Sequence, residues 1–235
     1  MKCARDFFFI TCVFALAFFS CKSYSSDFVP DLLLSECGTD ISISNDDPYI
    51  VVMPENAEAA MVFMPGGLVE YQSYLPLMVK CAKKGVACFI VRVPGDFSIL
   101  NTSAASRVIK RYPQFTRWYL AGHSLGGAMA AAYAGKHADS LEGLILLAAY
   151  SVDDLTKTGL RILSVYGSND GVLNREKYEA CKVNIPEGST ELVIEGGNHG
   201  QFGNYGEQKG DGEATITSEE QQNKTADAIA VLMSL

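Results

Sequence analysis

The chain has 235 residues, 48% hydrophobic and 20% charged, which is the balance of an ordinary globular protein long enough for one sizeable core. A formal charge of -8 with no basic cluster disfavours nucleic acid and anionic membrane surfaces as partners, since both would repel the chain at long range.

The first twenty residues stand apart. Lys2 and Arg5 precede the uncharged run Phe7 to Phe19. That run is too short for a bilayer span of roughly 20 apolar residues but suits the core of a signal peptide over residues 1–20. Ser20 and Cys21 follow, then polar residues from Lys22 to Ser26. A small residue and a cysteine at this place resemble a bacterial lipoprotein signal, with Phe18 where that family usually has leucine. The resemblance implies export and a lipid anchor on Cys21 as the only membrane contact, with ordinary cleavage nearby or an uncleaved interfacial anchor as the alternatives. Export opens Cys37, Cys81, Cys88 and Cys181 to disulfide pairing in three alternative ways that spacing does not rank. The competing reading is of free, buried thiols, above all for Cys88 inside an apolar run. No Cys-x-x-Cys and no zinc-like histidine spacing occurs, so neither metal nor cofactor is expected.

Residues 21–40 read as a tether that becomes an edge element, and 41–235 as one domain with no internal linker. Ile41 to Ser44 and Tyr49 to Met53 are short strands around the turn Asn45-Asp46-Asp47-Pro48. Ala59 to Met64 is a buried strand ending at Pro65-Gly66-Gly67-Leu68. Tyr74, Leu77, Met78 and Cys81 recur at helical spacing within Tyr71 to Lys84, which Gly85 closes. Val86 to Val93 is the next strand, and Phe97 to Arg111 a helix that stops at Tyr112-Pro113. A strand then enters Gly122-His123-Ser124-Leu125-Gly126, and an alanine-rich helix leaves it. Leu141 to Ala149, nearly all apolar, reads as a central parallel strand. Strands at Leu160 to Tyr166 and Glu191 to Ile194 follow, with a short helix around Arg175 to Cys181 and a last helix from Thr217 to Leu235. Strands alternating with helices imply right-handed crossovers and an open, mostly parallel α/β sheet.

The Gly-x-Ser-x-Gly turn between strand and helix is where chemistry concentrates. Ser124 sits in a turn so tight that positions two before and two after it must be tiny, which Gly122 and Gly126 are. The Leu125 N–H opens the helix and faces any negative charge formed at the serine, so it is the first candidate oxyanion donor. The second is Gly67 N–H, ahead of Leu68 N–H, from the loop after Met64. A serine nucleophile needs a base, and the chain has three histidines. The His123 side chain should diverge from that of its neighbour Ser124. His137 lies thirteen residues along the helix, about 20 Å away at 1.5 Å per residue. His199 remains, in Gly196-Gly197-Asn198-His199-Gly200 after a strand, on the edge where loops at the C-terminal ends of parallel strands gather. Asp170, after Gly167-Ser168-Asn169, is the best-placed acid to orient it, with Asp153 and Asp154 as alternatives.

Together with Tyr74, the stretches Pro65-Gly66-Gly67, Gly122 to Gly127, Tyr166 to Gly171 and Gly196 to Gly203 resemble the α/β-hydrolase superfamily, specifically a bacterial subgroup related to dienelactone hydrolases. The resemblance implies an eight-stranded, mostly parallel sheet flanked by helices and a Ser124, Asp170 and His199 triad; it fixes the reaction class and leaves the substrate open, a small-molecule ester or thioester being the leading expectation. Dienelactone hydrolases use cysteine where this chain has Ser124, so their substrate does not carry over. Peptide cleavage, or ligand binding without turnover, are the alternatives. About ten residues separate the strands ending near Ala149 and starting near Leu160, too few for a helical cap. The run Gln201 to Thr217 should border the cleft, and no chemical role is evident for it. Asp211 and Glu213 invite a calcium reading, but their spacing does not match a helix-loop-helix calcium site. Oligomeric state is not legible.

Overall fold

The structure, a computed structural model, describes residues 24–27, 33, 37–46, 48–92 and 104–235. The expected signal peptide, Cys21 and the start of the helix expected from Phe97 lie outside them. Eight strands form one sheet: β1 (Ile41–Asp46), β2 (Tyr49–Pro54), β3 (Ala59–Met64), β4 (Val86–Val91), β5 (Trp118–His123), β6 (Gly143–Leu147), β7 (Arg161–Gly167) and β8 (Thr190–Ile194). Their order is β1-β2-β4-β3-β5-β6-β7-β8. β1 and β2 pair antiparallel, β2 is antiparallel to β4, and every pair from β4 to β8 is parallel.

The central strands are apolar on both faces because both faces are covered. Met61 and Phe63 of β3 point into a core with α1 (Leu75–Ala82) and α5 (Ser218–Met233). Ala60 and Val62, one residue out of phase, point into a second core with α2 (Ala104–Arg111) and α3 (Leu125–His137). A side chain such as Phe63, fully buried, contributes roughly 1.5 to 3 kcal/mol by leaving water. α5 starts with a capping box, Thr217 Oγ1 accepting the Glu220 N–H while Glu220 accepts the Thr217 N–H. The short α4 (Arg175–Cys181) is capped by Asn174.

The strand order reverses beside β3: the chain moves from β3 to β4 on one side, then returns to place β5 on the other. In open α/β sheets such a reversal marks the edge where ligands bind, at the C-terminal ends of the flanking strands, here Met64 of β3 and His123 of β5. Residues 148–160 join β6 to β7 by turns with no inserted helix, so no cap is inserted at this connection. β6 ends at Leu147 although the apolar run continues, because Ala148 turns into the left-handed region at φ 48°. Cys81 and Cys88 are buried free thiols, Cys181 is a half-buried one, and Cys37 is buried.

Candidate active site

Ser124 lies between β5 and α3 with φ 52° and ψ -122°, a region that costs an L-residue about 1 to 3 kcal/mol. Close packing enforces it. A Cβ on Gly122 would come within 2.4 Å of the Gly126 carbonyl oxygen, and one on Gly126 within 2.2 Å of the carbonyls of Met64 and Pro65. A Cβ on Gly127 would meet the Ala149 side chain at 2.4 Å. Strand, helix and the loop after β3 therefore touch backbone to backbone. A Cβ on Gly67 would lie 2.8 Å from Leu125 Cδ2, so the two candidate oxyanion residues are in contact. At the first position of α3, the Leu125 N–H has no acceptor within its own helix.

In the loops after β7 and β8, His199 Nδ1 and Asp170 Oδ2 are 2.9 Å apart, with 1% and 0% of their side chains exposed. Asp170 Oδ1 accepts the N–H groups of Val172 at 2.9 Å and Leu173 at 2.8 Å. Burial pushes the Asp170 carboxyl up. The His199 hydrogen bond and charge, with those two amides, outweigh burial and hold it below the ordinary carboxylate value. His199 Nε2 is buried and bonds to nothing among the described residues, Ser124 Oγ included. The alternative acids are elsewhere: Asp154 Oδ1 accepts the Thr156 N–H at 2.9 Å at the surface, and Asp153 is exposed.

His123 packs beside the His199 ring, centroids 4.6 Å apart, and its Nδ1 lies 2.8 Å from the Tyr74 hydroxyl, which also accepts the Gly66 N–H at 3.0 Å. Burial, then the nearby His199 charge, drive the His123 pKa well below the ordinary imidazole value. Its hydrogen-bond partner is a phenol, where that of His199 is a carboxylate. His123 and Tyr74 connect the loop after β3 to the His199 loop.

This geometry coincides with a sequence match. A model of the alpha/beta hydrolase family matches residues 60–223. The chain belongs to that family. Solved structures carry the same fold at low identity. A dienelactone hydrolase from Anabaena variabilis is 12% identical, with TM-score 0.61, covering 83% of this chain and 98% of its own. An esterase from Mycobacterium tuberculosis is 11% identical, with TM-score 0.62, covering 89% and 100%. A predicted CIB-like hydrolase from Thermoplasma acidophilum is 18% identical, with TM-score 0.58, covering 81% and 97%. No curated protein matches the chain.

Two parts of this alpha/beta hydrolase escape a reading of its sequence. Asp211, in the run after His199, accepts backbone N–H groups from Gly171 at 3.1 Å, His199 at 3.1 Å, Gly200 at 2.8 Å and Gly212 at 2.9 Å. With both oxygens accepting N–H groups, this carboxylate ties the loops together. The second part is Tyr24 to Asp27. Tyr24 N–H donates to Leu68 O at 2.8 Å, and Tyr24 O accepts from Glu70 N–H at 2.9 Å. Ser26 donates its N–H and hydroxyl to Glu70 Oε2, and Asp27 N–H donates to Asn204 O at 2.9 Å. Leu68, in the left-handed region at φ 62°, is thus gripped by a segment read as tether. Spacing around Asp211 or Tyr24 carries no signal for either contact.

Proposed function

We propose that this hydrolase cleaves a small or medium carboxylic ester or thioester through an acyl-Ser124 intermediate. Ser124 Oγ attacks the carbonyl carbon while His199 Nε2 takes its proton. Asp170 orients the imidazole and stabilises its charged form. The N–H groups of Gly67 and Leu125 receive the negative charge that develops on the carbonyl oxygen, each such donor being worth about 3 to 4 kcal/mol in comparable sites. His199 then passes the proton to the departing alcohol or thiol. Water, deprotonated by His199, attacks the acyl group next, and release of the acid regenerates Ser124.

One observation carries the reading: the buried Asp170–His199 pair, its Nε2 uncommitted, on the same rim as a serine in a strained turn. The missing Ser124–His199 hydrogen bond is compatible with it, because such bonds often tighten only once substrate is bound. The same gap is what a protein that binds ligand without turnover would have, and that is the second reading. A fluorophosphonate probe decides between them, since it should modify Ser124 in wild-type protein and leave Ser124→Ala untouched. Unmodified Ser124 in folded protein, with a tight ligand and no turnover in a panel of short esters, acyl thioesters and peptides, favours binding.

Export with a lipid on Cys21 belongs to the same proposal. Three residues from Cys21 to Tyr24 span at most about 10 Å, and Tyr24 is bonded to the loop carrying Gly67, so an anchor there would keep that loop near the membrane surface. Mass spectrometry of the mature N-terminus tests it: an unmodified residue other than Cys21 refutes the anchor.

A further inference from the structure

We propose that Asp211 is a positioning residue, whose carboxylate holds Asp170 and His199 in register without itself reaching the substrate. The proposal rests on the acyl-transfer reading above for its kinetic consequence, and on geometry alone for its structural one. Asp170 grips the His199 ring, and Asp211 grips the His199 backbone. The same Asp211 oxygen that accepts the His199 N–H accepts the N–H of Gly171, the residue after Asp170. Acid and base are therefore fixed to one common atom, and their separation is set by two bonds of 3.1 Å.

The surroundings are shaped to admit that carboxylate. A Cβ on Gly171 would lie 2.6 Å from Gly210 O and 2.8 Å from Gly212 N, and one on Gly212 would lie 2.0 Å from Asn169 O. Only glycines let the turn carrying Asp211 press against the turn carrying Asp170. Asn169 Nδ2 donates to Glu213 O, and Asn198 Nδ2 to Gly212 O, both at 2.8 Å, so each loop is stitched to the wedge on either side of the carboxylate. All four partners of Asp211 are donors, so only an acceptor at both oxygens satisfies them. A charged acceptor makes each bond roughly twice as strong as a neutral one. Asparagine is nearly the same shape but turns an NH2 group toward either Gly200 N–H or the other three amides. The substitution removes the grip while filling the same space.

The test compares wild type, Asp211→Asn and, as a control for simple loss of charge, Glu213→Gln. The proton NMR signal of His199 Nδ1–H, far downfield when bonded to Asp170, is read without substrate. It should be present in wild type and Glu213→Gln, and lost or broadened in Asp211→Asn at unchanged far-ultraviolet circular dichroism. Ester turnover should fall about 100-fold in kcat with KM unchanged, the scale on which small misplacements of reacting groups act. An Asp211→Asn protein that keeps the downfield signal and a kcat within twofold of wild type overturns the proposal. So does a kcat loss merely proportional to the unfolded fraction. If wild type proves inactive but the signal still answers to Asp211, the esterase reading fails and the positioning role stands. Should Asp211→Asn not fold, amide exchange on the unmodified protein takes its place: protection at Gly171, His199 and Gly200 supports the grip, and fast exchange at all three refutes it.

Discussion

Ser124 is held in place by what cannot fit beside it, and His199 by what bonds to it. Around the serine, three glycines bring carbonyls and the Ala149 side chain so close that an added methyl group would sit 2.2 to 2.4 Å from them, and no side-chain hydrogen bond caps the turn. Around the histidine, the contacts are polar: Asp170 on the ring, Asp211 on the backbone, and buried Gln221 accepting the Asn198 N–H at 3.0 Å while donating to Asn198 O at 2.8 Å. On the proposed mechanism, the difference follows from what each side must do. A strained nucleophile has to be kept from relaxing, which close packing achieves because interiors resist even one added methylene. A base that gains and loses charge needs partners that answer to charge, and only hydrogen-bonding groups do.

The two sides should therefore fail differently. Asp170→Asn is expected to lower esterase kcat by about 10⁴-fold, through loss of the orienting charge and the wrong imidazole tautomer, while melting stays cooperative. A drop below tenfold in ester assays would remove Asp170 from the site. Gly126→Ala is expected to act on folding instead. Its methyl meets two backbone carbonyls that have no flexible end to swing away, so about 3 to 5 kcal/mol of stability should be lost, or folding altogether. Urea unfolding reads this directly, and a loss under about 1 kcal/mol would show that the turn can open.

That contrast also explains what was legible in the chain. The tight turn at Ser124 is local, so spacing alone carries it: Gly122 and Gly126 need only be two residues from the serine. His199 and Asp170 were reached by scarcity and by which sheet edge their loops share, since only three histidines exist. Asp211 was not legible, because its value depends on loops 40 residues apart meeting at one atom, and an aspartate between two glycines reads equally as an ordinary turn. Spacing makes Tyr74 one apolar position of a helix, and its buried ring sits in the turn that leads into α1. Its hydroxyl, bridging Gly66 and His123, has no sequence period. Tyr24 fell inside a stretch taken for tether because it lacks any periodicity that would reveal 44-residue contacts such as Ser26 to Glu70.

A milder break tests whether the strap from Tyr24 to Asp27 supports the packed side. Glu70→Ala removes the acceptor of two Ser26 donors, each bond to a charged group being worth about 1.5 to 3 kcal/mol when buried and less at this half-buried place. The expected result is faster amide exchange at Tyr24 and Glu70, a few-fold fall in kcat as Leu68 loosens, and little change in global melting. Unchanged exchange at both amides would mean that the strap holds without its carboxylate.

The smallest expected effect concerns His123, which sits where the two sides meet. Its pKa is well below the ordinary value in the folded protein, so the unfolded chain binds its proton first as pH falls. Stability attributable to His123 is therefore complete above about pH 6.5 and declines as pH drops below it, by at most about 1.4 kcal/mol per pH unit. Asp170 does not confuse this window. Its carboxyl is held low, so its contribution persists down to about pH 3.9 and is lost only below. His123→Asn keeps an acceptor for the Tyr74 hydroxyl but cannot titrate. Urea unfolding at pH 7.5 and pH 5 should show a smaller difference for the variant than for wild type. Equal differences would mean that the imidazole is solvated or already charged in the native state. It would then be no neutral link between the packed and the hydrogen-bonded halves, and the Gly66, Tyr74 and His123 connection would have to be carried by ring packing alone.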